Sequence, residues 1–309
     1  MPTLLFRSPS DPAERWADAL RREVPDLEVR VWPETGCIED IDYALVWASP
    51  DGFLRELPAL RVVFSLGAGV DHLVDGELPC GIPLVRMVDP ALTEGMVEFV
   101  LYQVLRHHRH MPAYERQQAV AEWRTHEQLR PGERRVGILG LGELGGACAR
   151  ALAGLGFDVA GFARSPRQID GVRCFHGEEG FSAILARSDI LVCLLPLTQS
   201  TRGILDAAAL AQLPRGAVVI NAARGPHVVD EDLLRALAEG RVGHAVLDVF
   251  DTEPLPADHP YWQHPRVTVT PHIASLTNPE TGARHVAEGI RRDRIGEPPQ
   301  HVVDPSRGY

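Results

Sequence analysis

Three polar residues, far apart along the chain, each stand just past an apolar run of strand length. Arg224 follows Val218-Val219-Ile220-Asn221-Ala222-Ala223, Glu253 follows Leu247-Asp248-Val249-Phe250, and His272 follows Val267-Thr268-Val269-Thr270-Pro271. A parallel sheet would deliver all three to its carboxyl edge, where open α/β sheets bind their ligands. Any one of them also suits an ordinary solvated loop; three such types at strand ends point to a site. The set fits reduction of a 2-oxo acid, which needs a cation for the carboxylate, a proton donor for the carbonyl oxygen and a hydride donor. Arg224 can grip a carboxylate with its planar fork and polarise the carbonyl. His272, as imidazolium, can give the proton, and Glu253 beside it would favour the charged ring. The hydride would come from a nicotinamide that the protein aligns. Of the thirteen histidines, His244 would open its strand rather than close it, and His259 and His264 lie in a proline-rich loop. His107, His108 and His110 share a basic helical run without carboxylates spaced to complete a metal site, so no metal is expected.

The hydride donor has its own signature. Val136 to Leu139 is apolar without alternation, as a strand covered on both faces is, and Gly140, Gly142 and Gly145 follow as G-x-G-x-x-G. The first glycine permits the turn, the second lets a pyrophosphate approach the backbone, and the third lets helix pack close on strand. A helix beginning near Glu143 and Leu144 would aim free N–H groups and its positive end at the phosphate. A glycine turn alone is weak, but a strand before it, a helix after it and a second strand at Phe157 to Phe162 supply the dinucleotide-binding context. A methyltransferase would leave the second site without purpose. An NAD-preferring site carries Asp or Glu at the end of that second strand. Here Ala163 takes that position and Arg164, Ser165, Pro166 and Arg167 follow, while Asp158 only starts the strand. The expectation is NADPH over NADH, with Arg164 the main contact to the 2′-phosphate and Ser165 and Arg167 beside it.

The elements that would position these groups fall into two alternating blocks. Thr3 to Phe6, Glu28 to Trp32, Tyr43 to Trp47, Val62 to Leu66 and Pro83 to Met87 read as strands, with a helix capped by Asp11, opened by Pro12 and running to about Val24. A helix from the Leu92 region to about His110, and another from Pro112 to Trp123, would form a crossover or an arm packing on a partner subunit. The second block has strands at Val136 to Leu139, Phe157 to Phe162, Ile190 to Leu195, Ala217 to Asn221, His244 to Val249 and Val267 to Thr270. Six strands are what a full dinucleotide-binding sheet requires. Helices fit Leu144 to Leu155, Phe181 to Ala186, Ala207 to Leu213 and Glu231 to Glu239, and a last helix from Asn278 to about Arg292 could return to the first block. The expected fold class is therefore α/β, two doubly wound parallel-sheet domains: a substrate domain from 1–91 with 276–309, and a Rossmann domain from 92–275.

The totals agree. A length of 309 residues suggests two domains, and 45% hydrophobic with 24% charged residues is ordinary globular composition. A net charge of −11 argues against nucleic acid or an anionic membrane as partner. No run of about 18 apolar residues is present, and Met1 to Pro9 lacks the sections of a signal peptide. Five cysteines, odd in number and scattered, fit reduced packing residues in cytosol.

With Gly140 to Gly145, Leu194-Leu195-Pro196, Asn221-Ala222-Ala223-Arg224-Gly225, Leu247-Asp248-Val249-Phe250 with Glu253-Pro254, and Pro271-His272-Ile273-Ala274 in this order, the chain resembles the D-isomer-specific 2-hydroxyacid dehydrogenases over nearly its whole length. The resemblance implies a flavodoxin-like substrate domain, a Rossmann domain, and an active site in the cleft between them. It implies that Arg224, Glu253 and His272 are catalytic, that Asp248 holds the nicotinamide carboxamide, that Leu195 and Pro196 line the adenine side, and that Ala222, His272 and Ala274 also meet the cofactor. The loop Leu66-Gly67-Ala68-Gly69-Val70 follows a strand and could offer backbone N–H groups to an anion, or be a plain glycine turn. The resemblance makes Gly67, Ala68 and Gly69 a substrate-carboxylate loop. Trp47 could wall the substrate pocket or be core, Arg86 could add cleft charge or pair at the surface, and Trp123 could reach a neighbour's site or pack a dimer.

Tyr43-Ala44-Leu45-Val46-Trp47, Leu66 to Asp71, Asp230-Glu231-Asp232-Leu233-Leu234 and Ser306-Arg307-Gly308-Tyr309 are similar to a bacterial branch of that family that reduces glyoxylate and hydroxypyruvate. This implies glycolate and D-glycerate as products, formed in the cytoplasm by a homodimer built through the 92–130 region. The rivals are a relative acting on another 2-oxo acid, such as phenylpyruvate, and a dinucleotide-sensing protein that binds without turnover.

Overall fold

The computed structural model describes residues 1–47, 52–74 and 78–304, so the Ser306 to Tyr309 stretch lies outside the described residues. The chain divides into two compact units, Met1–Leu92 with Leu276–Tyr309, and Thr93–Ser275.

The first unit opens with β1 (Thr3–Arg7), α1 (Ala13–Glu23), β2 (Glu28–Val31), β3 (Tyr43–Val46), β4 (Val62–Ser65), the single turn α2 (Asp71–Val74) and β5 (Leu84–Val85). The strands pair in the order β2-β1-β3-β4-β5, all parallel, the flavodoxin-like order. Alternation within β1 shows how both faces are used: Leu4 and Phe6 enter one core and Leu5 the other. One expectation fails at α1. Pro12 itself holds the N-cap position, and the Asp11 carboxylate accepts a 2.5 Å hydrogen bond from Ser8 Oγ instead of capping the helix.

The second unit begins inside α3 (Pro90–His108) and continues with α4 (Met111–Ala119). The second helix ends four residues short of Trp123, which stands 99% exposed beyond it. The sheet unit follows as β6 (Arg135–Leu139), α5 (Glu143–Gly154), β7 (Asp158–Phe162), β8 (Arg173–Phe175), α6 (Gly177–Arg187), β9 (Ile190–Cys193), α7 (Ala207–Gln212), β10 (Ala217–Asn221), α8 (Asp230–Ala238), β11 (Val242–Leu247) and β12 (Val267–Val269). Seven parallel strands run β12-β11-β10-β9-β6-β7-β8, where the sequence suggested six. The extra strand, β8, is the third strand of the dinucleotide-binding order, and it sits at the sheet edge. Four neighbouring strands send fully buried side chains to one face, among them Ile138, Val192, Ile220 and Val246. Leu139, Cys193, Val219 and Leu247 pack on the other. Burial of such a side chain is worth about 1.5–3 kcal/mol, and the two layers fix where the strands end.

The chain returns to the first unit as α9 (Pro279–Arg294), whose Gly282 lies so close to α1 that a Cβ there would come 2.5 Å from the Trp16 ring. Asp293 accepts a 2.6 Å hydrogen bond from the buried Tyr43 hydroxyl. Among the described residues no helix is long and apolar enough to cross a membrane.

His244 is buried near the start of β11, its ring 4.7 Å from that of half-buried His107, and its Nε2 lies 2.9 Å from Thr268 Oγ1. Burial, with His244 and Arg106 adding to it, pushes His107 from its ordinary 6.5 down to about 3. Burial and the charges of Arg106, Arg116, His264 and Arg266 push His244 down to about 4. Below pH 6.5 the unfolded chain therefore binds protons that the folded chain refuses, so stability falls as pH drops towards these values. Between pH 7 and pH 5 the expected loss is up to about 2 kcal/mol for each group. Urea unfolding at the two pH values, with His107→Gln showing a smaller loss, checks it.

Candidate active site

Strand β6 ends where the strand order reverses, with β7 on one side and β9 on the other. Gly140 turns the chain there with φ +98°; a Cβ on it would lie 2.5 Å from the carbonyl oxygen of Leu194. Gly145 is tighter still, since its Cβ would lie 1.8 Å from the Gly140 oxygen. These two glycines let α5 start directly against the strand. Gly142 differs: a Cβ there would meet nothing within 4 Å, and no side chain caps the helix. The end of α5 thus offers its first-turn N–H groups across open space, with Glu143 exposed and Leu144 half-buried. This cradle fits a dinucleotide pyrophosphate. At the end of β7, Ala163 is buried while Arg164, Ser165 and Arg167 are exposed, an arrangement that suits a 2′-phosphate. Leu195 is buried beyond β9, and the Pro196 carbonyl accepts the Thr201 hydroxyl at 2.7 Å. Ala222 and Ala274 are buried at the ends of their loops.

The three polar groups meet through the loops after β10, β11 and β12. Asn221 folds the first loop back on itself: its Nδ2 donates to the Arg224 carbonyl at 2.8 Å, and its Oδ1 accepts from the Ala223 N–H at 3.2 Å. Gly225 presses against the next loop, where a Cβ would lie 1.9 Å from the carbonyl carbon of Phe250. That contact sets Arg224 beside the segment bearing Glu253. One Glu253 oxygen accepts the Phe250 N–H at 2.9 Å and the other lies 2.8 Å from His272 Nδ1. Burial disfavours ionisation of Glu253. The hydrogen bonds from His272 and Phe250, with the charges of His272 and Arg224, outweigh burial and hold its carboxyl below the usual glutamate range. Arg224 Nη1 donates to the Ala223 carbonyl at 2.9 Å, which points its guanidinium along the loop. Both members of the Glu253–His272 pair keep about a third of their side-chain surface exposed, at 36% and 31%, so a small substrate can reach them.

His272 takes a left-handed backbone, φ +53°, a conformation that costs a residue with a Cβ about 1–3 kcal/mol. Asp248 supports it. Asp248 is fully buried, and its carboxylate accepts the Thr270 hydroxyl at 2.6 Å and the N–H groups of Ile273 and Ala274 at 2.9 and 2.8 Å. Its carbonyl accepts the His272 N–H at 2.8 Å. Burial raises the Asp248 pKa against the pull of these donors and of the His272 charge.

In the first unit, half-buried Trp47 lies directly past β3 and packs on its core, with its ring 4.8 Å from the His72 ring. A Cβ at Gly67 would come 2.3 Å from that indole, so Trp47 and Gly67 form one surface, with Ala68 and Gly69 half-buried beside it. Arg86 is tied through its backbone: its N–H donates to the His301 carbonyl at 3.2 Å, and its own carbonyl lies 3.1 Å from His285 Nε2.

Sequence reasoning missed three supports: the fold-back by Asn221, the Thr270 hydroxyl, and His227. His227 is fully buried, with Nδ1 3.1 Å from the Arg224 carbonyl and Nε2 3.3 Å from that of Pro196, so it ties the arginine loop to the loop after β9. A polar residue inside or directly after a predicted buried strand is the signal that could have found Asn221 and Thr270.

Residues 101–274 match the NAD binding domain of the D-isomer specific 2-hydroxyacid dehydrogenases. Glyoxylate/hydroxypyruvate reductase A of Serratia proteamaculans is 43% identical, over 99% of each chain. A D-isomer specific 2-hydroxyacid dehydrogenase from Xanthobacter autotrophicus Py2, solved with NADPH and MES, has a TM-score of 0.96 at 46% identity, covering 100% of this chain and 99% of that one. The NADPH-dependent glyoxylate/hydroxypyruvate reductase of Sinorhizobium meliloti, solved with NADP and sulfate, has a TM-score of 0.94 at 41% identity, covering 100% of both chains. The chain belongs to the D-isomer specific 2-hydroxyacid dehydrogenases.

Proposed function

We propose that this dehydrogenase reduces small 2-oxo acids with NADPH, glyoxylate to glycolate and hydroxypyruvate to D-glycerate. The observation that carries the reading is the Glu253–His272 pair, 2.8 Å apart and flanked by Arg224, at the carboxyl edge of the sheet that holds the glycine turn. The names of the relatives from Serratia proteamaculans and Sinorhizobium meliloti support the substrate class. The nicotinamide, when bound, supplies the hydride. Arg224 binds the substrate carboxylate and polarises the neighbouring carbonyl. His272 holds a proton; with Nδ1 facing Glu253, delivery to the carbonyl oxygen falls to Nε2. Glu253, kept ionised, accepts from Nδ1 and fixes the ring. NADPH oxidation measured across glyoxylate, hydroxypyruvate, phenylpyruvate and keto-branched acids tests the assignment. The first two should show the highest kcat/KM; a maximum with phenylpyruvate moves the enzyme to another substrate.

The cofactor preference rests on Arg164, with Ser165 and Arg167 beside it and no carboxylate where Ala163 stands. A charge-assisted contact to phosphate is worth about 1.5–3 kcal/mol, or roughly 10- to 100-fold. The Arg164→Ala variant should lose about that factor in kcat/KM for NADPH and little for NADH, read from parallel titrations of the two cofactors.

A second copy of the chain covers the 92–130 region, which exposes Tyr102 at 61%, Met111, Val120 and Trp123. All five cysteines are free, which supports a reducing compartment, the cytoplasm.

A further inference from the structure

The left-handed turn at His272 needs something to hold it, and one residue contacts the whole turn. Asp248 is the first residue after β11, and its own N–H donates to the Asn221 carbonyl at 3.0 Å, which anchors it to β10. Its carbonyl takes the N–H of His272, and its two carboxylate oxygens take those of Ile273 and Ala274. Three consecutive backbone donors therefore converge on one side chain and its carbonyl. The Thr270 hydroxyl closes the carboxylate from the strand side. At 0% exposure this is a built-in clamp, held by Asn221 of β10, by Thr270 directly after β12 and by the turn itself.

We propose that Asp248 is a positioning residue for proton transfer, whose carboxylate holds residues 273 and 274, directly after His272, so that the imidazole is presented to Glu253. The inference rests on the reading of His272 as proton donor. It is distinct from a role in gripping the cofactor's carboxamide, because it acts through the backbone next to His272 and predicts coupling to that residue.

The experiment is a double-mutant cycle on the full-length enzyme with NADPH and glyoxylate. The Asp248→Asn variant has an amide where one carboxylate oxygen accepted a donor. It should lose about 10²-fold in kcat, with KM for glyoxylate changed by less than about threefold. In the His272→Ala background the same replacement should change the residual rate by less than about twofold, because the group being positioned is gone. Equal losses in both backgrounds would overturn the proposal. Should Asp248→Asn not fold, Thr270→Val carries the same cycle: it removes one donor and leaves both backbone contacts. Non-additivity with His272→Ala then supports the clamp and additivity overturns it. A His272→Ala enzyme with undiminished turnover would instead remove the proton-donor reading itself, so the two failures are distinguishable.

Discussion

The His272→Ala variant is expected to reduce glyoxylate roughly 10³-fold more slowly than the parent enzyme at neutral pH, within the 10²- to 10⁴-fold range of a positioned general acid. The loss should fall on kcat, because a general acid acts on a proton that moves only as the carbonyl is reduced. NADPH should bind with a dissociation constant close to that of the parent, since the glycine turn, the open end of α5 and the Arg164 region are untouched. The substitution keeps a Cβ in the same left-handed backbone, and the Asp248 contacts are made by backbone N–H groups, so the loop should persist. Thermal unfolding within a few degrees of the parent separates loss of chemistry from loss of fold. A kcat within tenfold of the parent would mean that another group, or water, supplies the proton.

The Arg224→Lys variant is expected to lose about 10²- to 10³-fold in kcat/KM for glyoxylate, with both terms affected. Lysine keeps the charge but not the planar fork that matches a carboxylate with two parallel hydrogen bonds. It also cannot hold the guanidinium's bond to the Ala223 carbonyl while reaching a substrate. Because Arg224 helps keep Glu253 ionised and the retained charge should do so too, the Glu253–His272 pair should survive this change. The defect should then be one of substrate orientation. Steady-state kinetics with saturating NADPH read it directly. A variant that loses only KM would assign Arg224 to uniform binding rather than to polarising the carbonyl.

Much of this site is legible in the chain because its parts are local. Gly140, Gly142 and Gly145 follow an apolar strand, and each spacing answers a steric need now visible as a collision or as open space. Arg224 and His272 each come three residues after a run rich in β-branched residues, so a parallel sheet must place them at one edge. Strand β8 was not legible: Arg173-Cys174-Phe175 is three residues long, begins exposed, and pairs on one side only, so it carries neither a hydrophobic run nor alternation. The Asp11 cap failed because Ser8, three residues earlier, competes for its carboxylate. The grip of Asp248 on residues 272–274 and the link from His227 to Pro196 span more than twenty positions of sequence. Nothing in the local pattern encodes a contact of that range; it follows only from the register of β9, β10, β11 and β12.

In the proposed reaction His272 protonates the carbonyl oxygen as the carbonyl carbon takes up the hydride that a bound nicotinamide would supply. The fate of deuterium placed at the transferring position of NADPH during hydroxypyruvate reduction tests it most directly. D-glycerate carrying that deuterium on C2 is the expected product. Solvent hydrogen at C2, or the L isomer as product, would contradict it.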